Sequence, residues 1–209
     1  MNSKSGYKSH VKKIAIFDFD GTLTKTDSFN IFFLHKMGYI SFLIFSFRNA
    51  ALILRSIFDK EYVINVKECF LGEAYKNVPY SEFLHDAENF GRKNIDNIIN
   101  PLAFKKLQFH QESGHEICII TASPTDWVKT WAEMNHISCV FGSKIEVKDG
   151  KLTGRLATHM YGEKKVECIK HHFENAKDIF IYAYGDSAGD LPMLQFADEG
   201  YYKNFDKAL

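Results

Sequence analysis

Two aspartates one residue apart, Asp18 and Asp20, close the apolar run that opens IAIFDFDGTLT, Ile14 to Thr24. Two carboxylates this close repel, and one tends to stay protonated unless a cation joins them. A hard divalent ion with oxygen ligands, Mg²⁺ before others, meets that need. A carboxylate so placed can attack phosphorus and form an aspartyl-phosphate, dividing one hard displacement into two easier ones. A second carboxyl group can protonate the leaving oxygen and later take a proton from water. Asp18 and Asp20 have the residue types for these two roles.

Other chemistry-bearing residues follow along the chain. Thr121-Ala122-Ser123 offers a hydroxyl and, at the start of a helix, backbone N–H groups for an anion. GEKKV, Gly162 to Val166, brings Lys164 and Lys165, and YGDSAGD, Tyr184 to Asp190, brings Asp186 and Asp190. Four acids with a lysine suit metal-assisted phosphoryl transfer, the acids holding the metal and the metal with lysine holding the phosphate. The second acid argues against dehalogenation, because a halide leaves unprotonated. The sequence has no GxxxxGK[ST] loop, which excludes the P-loop route to ATP hydrolysis.

Elements that position these residues are legible. Lys13 to Phe19, Glu116 to Thr121 and Asp178 to Tyr184 read as buried strands. Helical segments, Phe104 to Gln111 and Glu163 to Glu174, precede the latter two. Alternating strands and helices predict a parallel, doubly wound α/β sheet with ligands outside the carboxyl ends of its strands. Period-two alternation directs Asp18 and Asp20 to the same side. Lys144 to Gly154 reads as a β-hairpin about Asp149-Gly150. Trp127 and Trp131, four apart on a helix, read as core-facing anchors.

The chain has 209 residues, enough for one α/β domain carrying an insertion. Its formal net charge is zero, so no nucleic-acid partner is expected, and the basic residues before the first strand read as a solvated terminus. No secretory signal is read at the start. The four cysteines (Cys69, Cys118, Cys139, Cys168) form no CxxC pair and read as reduced thiols of a cytoplasmic protein. Cys168 and His172 lack the further ligands a metal needs.

From Asp27 to Asn100 the pattern changes to apolar helices, which predicts a helical insertion. Within it Tyr39 to Phe58 reads as one helix, too often interrupted to span a membrane. Ser41, Arg48 and Arg55 make one narrow polar stripe on it. Burial against neighbouring helices is the first expectation for this helix. A peripheral position on lipid, at the inner membrane face, is the alternative.

DFDGTLT, Thr121, GEKK and GDSAGD together resemble the four ordered motifs of the haloacid dehalogenase-like (HAD) superfamily, the first being DxDx[TV]. The resemblance covers essentially the whole chain. It implies a Rossmann-like core, residues 1–26 and 101–209, with a helical cap, residues 27–100, of the phosphoserine-phosphatase-like branch (subfamily IB). It further implies a Mg²⁺-dependent phosphatase. In it Asp18 is the nucleophile, Asp20 the acid/base and a backbone-carbonyl ligand, Asp186 a ligand, and Asp190 a support for metal or lysine. Lys165, directly before a helix beginning with Val, is favoured over Lys164 as the phosphate lysine. Asp27 occupies the place of a substrate-amine ligand, but Thr-Ala-Ser replaces the Ser-Gly-Gly of phosphoserine phosphatases. An apolar cap and a GxEKV-type motif are closer to phosphatidylglycerophosphate phosphatases, where Arg48 and Arg55 would lie near anionic headgroups. The expected substrate is therefore a small phosphorylated metabolite or a lipid phosphate headgroup. Phosphotransfer to an alcohol is the rival reaction, and a catalytically idle binding fold would have lost a motif acid.

Overall fold

A computed structural model describes residues 11–59, 61–174 and 178–206. Six strands form one sheet in the order β4-β3-β2-β1-β5-β6. They are β1 (Lys12–Phe17), β2 (Glu116–Pro124), β3 (Cys139–Lys148), β4 (Lys151–Thr158), β5 (Ile179–Gly185) and β6 (Glu199–Tyr202). All neighbours are parallel except β3 and β4. β1 is central and its last four residues are buried, as a strand covered on both faces must be. The predicted hairpin forms β3–β4, with Asp149 and Gly150 at φ 51° and 75°, the left-handed pair a two-residue turn requires.

Helices of the Rossmann-like layer are α6 (Pro101–Glu112), α7 (Thr125–Met134), α8 (Glu163–His172) and α9 (Leu191–Phe196). Trp127 and Trp131 of α7 are fully buried, as their spacing predicts. Between β1 and α6 lies the helical insertion: α1 (Ser28–Met37), α2 (Tyr39–Arg48), α3 (Ala50–Phe58), α4 (Glu61–Tyr75) and α5 (Tyr80–Lys93). The chain enters and leaves it side by side, with Lys25 N donating to Ile98 O and Asn100 N to Leu23 O. The insertion is not a detached lid. One apolar cluster runs from Phe17 of the sheet through Phe32 and Phe33 of α1 to Trp127 of α7. Gly91 lets α5 press onto α7, since a Cβ there would meet Trp127 O at 2.7 Å.

Several expectations need correction. The first strand ends at Phe17, and Phe19–Leu23 is an irregular turn whose Asp20 (ψ 119°) and Gly21 (φ 84°) leave helical geometry. Asp18 therefore continues the extended chain of β1, and only Asp20 reaches the sheet edge through that turn and not by strand alternation. The short edge strand β6 had no recognisable pattern. Tyr39 to Phe58 breaks at Asn49 into two helices instead of one. These helices are not buried: Phe45 is the one buried residue of α2, and α3 has none. Finally, Cys118 and Cys139 face each other across β2 and β3 and are joined as a disulfide, while Cys69 and Cys168 are free. Strand register brings together two residues whose spacing in sequence signals nothing. Cysteine usage thus gives no argument for a reducing compartment.

Candidate active site

The carboxyl ends of β1, β2 and β5 converge as expected of an open parallel sheet. Asp18 follows β1, and its N–H still bonds Tyr184 O of β5 at 2.9 Å. The turn after it depends on Gly21, whose φ is 84° and whose position a Cβ would drive into the Asp186 carboxylate. Only glycine meets both demands at low cost. Thr22 Oγ1 donates to Asp186 Oδ1 at 3.0 Å, tying the turn to the end of β5.

Lys165, in the first turn of α8, lies at the centre. Its Nζ donates to Asp18 Oδ1 and Asp190 Oδ1, both at 2.6 Å, and to Ile120 O at 3.0 Å. Lys165, Asp18 and Asp190 are all buried, whereas Lys164 is exposed. The helical period turns only one of the adjacent lysines inward. Asp190 Oδ2 accepts from the amides of Asp186 and Ser187 and from Ser187 Oγ. Both its oxygens are thereby engaged in holding lysine and turn.

Asp20 is held differently. Its Oδ1 accepts from Ser28 N at 2.7 Å, at the start of α1, and its Oδ2 from Ser123 Oγ at 2.5 Å. These bonds set its orientation and leave its carboxylate outside the cluster of Asp18, Asp186 and Asp190. Thr121 is fully buried, and its Oγ1 accepts from Ser123 N at 3.0 Å, shaping the loop after β2. Ala122 presents its carbonyl to Ser143 Oγ (2.8 Å) and Lys67 Nζ (3.0 Å).

Electrostatics favour a further cation. Asp18, Asp186 and Asp190 each offer an oxygen within 4.8 Å of the others. Burial pushes the Asp18 carboxyl up to about 8, against the pull of Lys165. Burial likewise raises Asp186, with the Thr22 hydrogen bond opposing. For Asp190 burial also works upward, but Lys165 and Ser187 outweigh it and hold that group below its usual value. Lys165 is raised because its two carboxylates overcome its own burial. Lys165 thus pairs with two of the three acids, Asp186 is eased by Thr22 and the charge of Lys203, and the set is all oxygen. That donor chemistry fits a hard divalent cation, and Asp18, Asp186 and Asp190 are the residues that would hold one.

Asp27 caps α1, its Oδ1 accepting from the amides of Phe29 and Asn30. Protein crowding and then the charge of Asp20 raise its carboxyl to about 6, although the residue keeps contact with solvent. Lys67 of α4 is a residue that motif reading missed. It is buried, its Nζ reaches Ala122 O and lies 5.3 Å from the centre of the Phe29 ring, and its charge acts on Asp27. The available signal was a lone cation with apolar Phe70 and Leu71 three and four residues on, which puts it on a buried face. Arg48 and Arg55 are not brought to the cluster. Both are exposed, and Arg55 rests on the Tyr62 ring at 4.4 Å.

Fold and site together define a hydrolase whose acids line the edge of a Rossmann-like sheet. The family model for haloacid dehalogenase-like hydrolases matches residues 15–195, and the chain belongs to that family, as its motifs suggest. It is 28% identical over 205 residues to protein CicA of Caulobacter vibrioides, covering 96% of this chain and 90% of CicA. A Bordetella pertussis Tohama I protein of unknown function superposes with a TM-score of 0.76 at 24% identity, covering 90% of this chain and 88% of that one. A phosphoserine phosphatase solved as a phospho-aspartyl intermediate analogue gives 0.61 at 19% identity, covering 91% and 85%.

Proposed function

We propose that this enzyme hydrolyses phosphomonoesters through a phosphorylated Asp18. The observation that carries the reading is the buried Lys165 ammonium shared by Asp18 and Asp190 beside Asp186. In the first step an Asp18 oxygen forms a bond to phosphorus, the ester P–O bond breaks, and Asp20 gives its proton to the leaving alkoxide. In the second, water attacks phosphorus, Asp20 takes its proton, and the Asp18–phosphorus bond breaks to release inorganic phosphate. Lys165 stays charged throughout and faces the phosphoryl oxygens. Asp18, Asp186 and the Asp20 carbonyl would hold Mg²⁺, which would offset charge on those oxygens. Thr121 and the Ala122–Ser123 backbone shape the anion side of the site. Residues 27–100 act as the cap over the core.

In this reading Asp27 and Lys67, one acid and one base contributed by the insertion, read the leaving group, which the charge of Lys67 acting on Asp27 supports. They suit a small metabolite bearing an amino or hydroxyl group. A second reading, a lipid phosphate headgroup, is favoured by the exposed apolar helices α2 and α3. The test is phosphate release from a panel of soluble phosphomonoesters and of phosphatidylglycerophosphate in mixed micelles, with Mg²⁺ and no alcohol acceptor. Native protein is compared with Asp18→Asn. Release that survives the substitution refutes the nucleophile, and a phosphorylated alcohol formed on adding an acceptor, with no inorganic phosphate released in its absence, makes the enzyme a phosphotransferase. Turnover confined to one arm of the panel selects the substrate class.

A further inference from the structure

We infer that α2 and α3 form a docking surface for an anionic lipid bilayer. Fourteen large apolar side chains are exposed among the described residues, and eight of them fall between Tyr39 and Phe58. Ile40 is 72% exposed, Phe47 84% and Phe58 88%. Scattered exposed apolar residues are ordinary, but a contiguous stretch of this kind marks an interaction surface. The two helices are attached along one side: Phe42 and Phe45 of α2 pack on the Phe70 ring of α4, at 5.3 and 4.7 Å between ring centres, and α3 runs against α4 with Arg55 over the Tyr62 ring. The rest of the two helices is left to meet something else.

Charge identifies the occupant. From Ser28 to Phe58 there is no Asp or Glu, in a chain that has 26 of them. The charged residues in that stretch are Lys36, Arg48 and Arg55, and both arginines are exposed. A second copy of the chain is a poor fit, because a two-fold interface sets the patch against itself and offers the arginines no acid. An anionic bilayer supplies the negative charge, and its interface accepts Tyr39 and the exposed phenylalanines. No single helix among the described residues is long and apolar enough to cross a membrane; α1 and α2 together reach that length but bend by 115° between them, and α1 sits in the core through Phe29, Phe32 and Phe33, which leaves α2 and α3 to lie on the lipid surface. The Asn49 break lets two short helices share that surface. Phe70, which carries α2, stands one helical turn from Lys67, so the docked face and the active site are joined through α4.

The test is flotation of the full chain with phosphatidylcholine vesicles and with vesicles containing about one-third phosphatidylglycerol, using Asp18→Asn so that no turnover intervenes. Binding is expected on the anionic vesicles and much less on the neutral ones. Phe47→Ser with Phe58→Ser should weaken partitioning by about tenfold or more. The circular dichroism should stay unchanged, and so should the hydrolysis of a soluble phosphomonoester when the same two serines are placed in the native chain. No flotation of the parent chain on anionic vesicles, or equal flotation of the double variant, overturns the inference. So does a dimer in sedimentation that the double variant dissociates while neither form binds vesicles. None of these outcomes depends on Asp18 being a nucleophile.

Discussion

Lys165 Nζ stands 2.6 Å from both Asp18 Oδ1 and Asp190 Oδ1, with all three residues withdrawn from water. An ammonium shared by two buried carboxylates is costly to assemble and costlier to break. Lys165→Ala is expected to lose about 3–5 kcal/mol of stability, since two acids lose their partner. Phosphate release should fall at least about a thousandfold as the oxyanion charge goes uncompensated. Lys164→Ala should stay within about 0.5 kcal/mol of the native chain. Urea unfolding and phosphate release on both variants check the contrast.

Metal binding should be visible without turnover. Mg²⁺ is expected to raise the melting temperature, by mass action worth about 2.7 kcal/mol at a hundredfold excess over its dissociation constant. Chelation should remove the gain, and Asp18→Asn or Asp186→Asn should abolish it. A thermal scan with and without Mg²⁺ decides.

Gly21→Ala combines a φ of 84° with a collision against Asp186. The strain is expected to cost about 1–3 kcal/mol and to displace the acid that closes the metal cluster. Weaker Mg²⁺ dependence of the melting temperature, with the fold retained by circular dichroism, is the result to look for.

Lys67→Met should raise KM by about tenfold or more while changing kcat less, on the proposal that this lysine of the insertion reads the leaving group. The Ala122 carbonyl keeps its Ser143 donor in that variant. Steady-state kinetics on the best substrate test it, and a loss confined to kcat would count against a role in recognition.

A pH effect on stability is expected from His110, which is buried between His115 and Tyr184 and lowered to about 4 by burial and then by the charge of His115. The unfolded chain binds this proton below about pH 6.5, whereas the folded chain refuses it until about 4. Stability from this group is therefore whole above that window and lost as pH falls through it, by up to about 3 kcal/mol. Urea midpoints at pH 7.5 and 5, compared between native and His110→Phe, isolate the contribution from that of the carboxylates.

Much of the site was legible because it is local chemistry. DFDGTLT and GDSAGD place their acids at strand ends by short-range pattern alone, and the strands that carry them stand out as apolar runs. Lys165 is favoured over Lys164 by the family resemblance, which sets the lysine directly before Val166; the helical phase of α8 that buries it is a matter of the structure. Lys67 was hidden because nothing in its neighbourhood announces that Ala122, 55 residues later, will lie within reach.

By itself the sequence determined the α/β class, the helical insertion, the family and the acids, since each is written in periodicity or in residue types at fixed spacing. Only the tertiary structure decided which distant groups meet and which surfaces stay open. Cys118 met Cys139 through strand register, and Asp186 met Gly21 through the crowding of two turns. The apolar face of α2 and α3 stayed uncovered because burial depends on what the rest of the chain brings to a helix. A helix cannot encode its own neighbours, so its hydrophobicity states a need without saying who fulfils it.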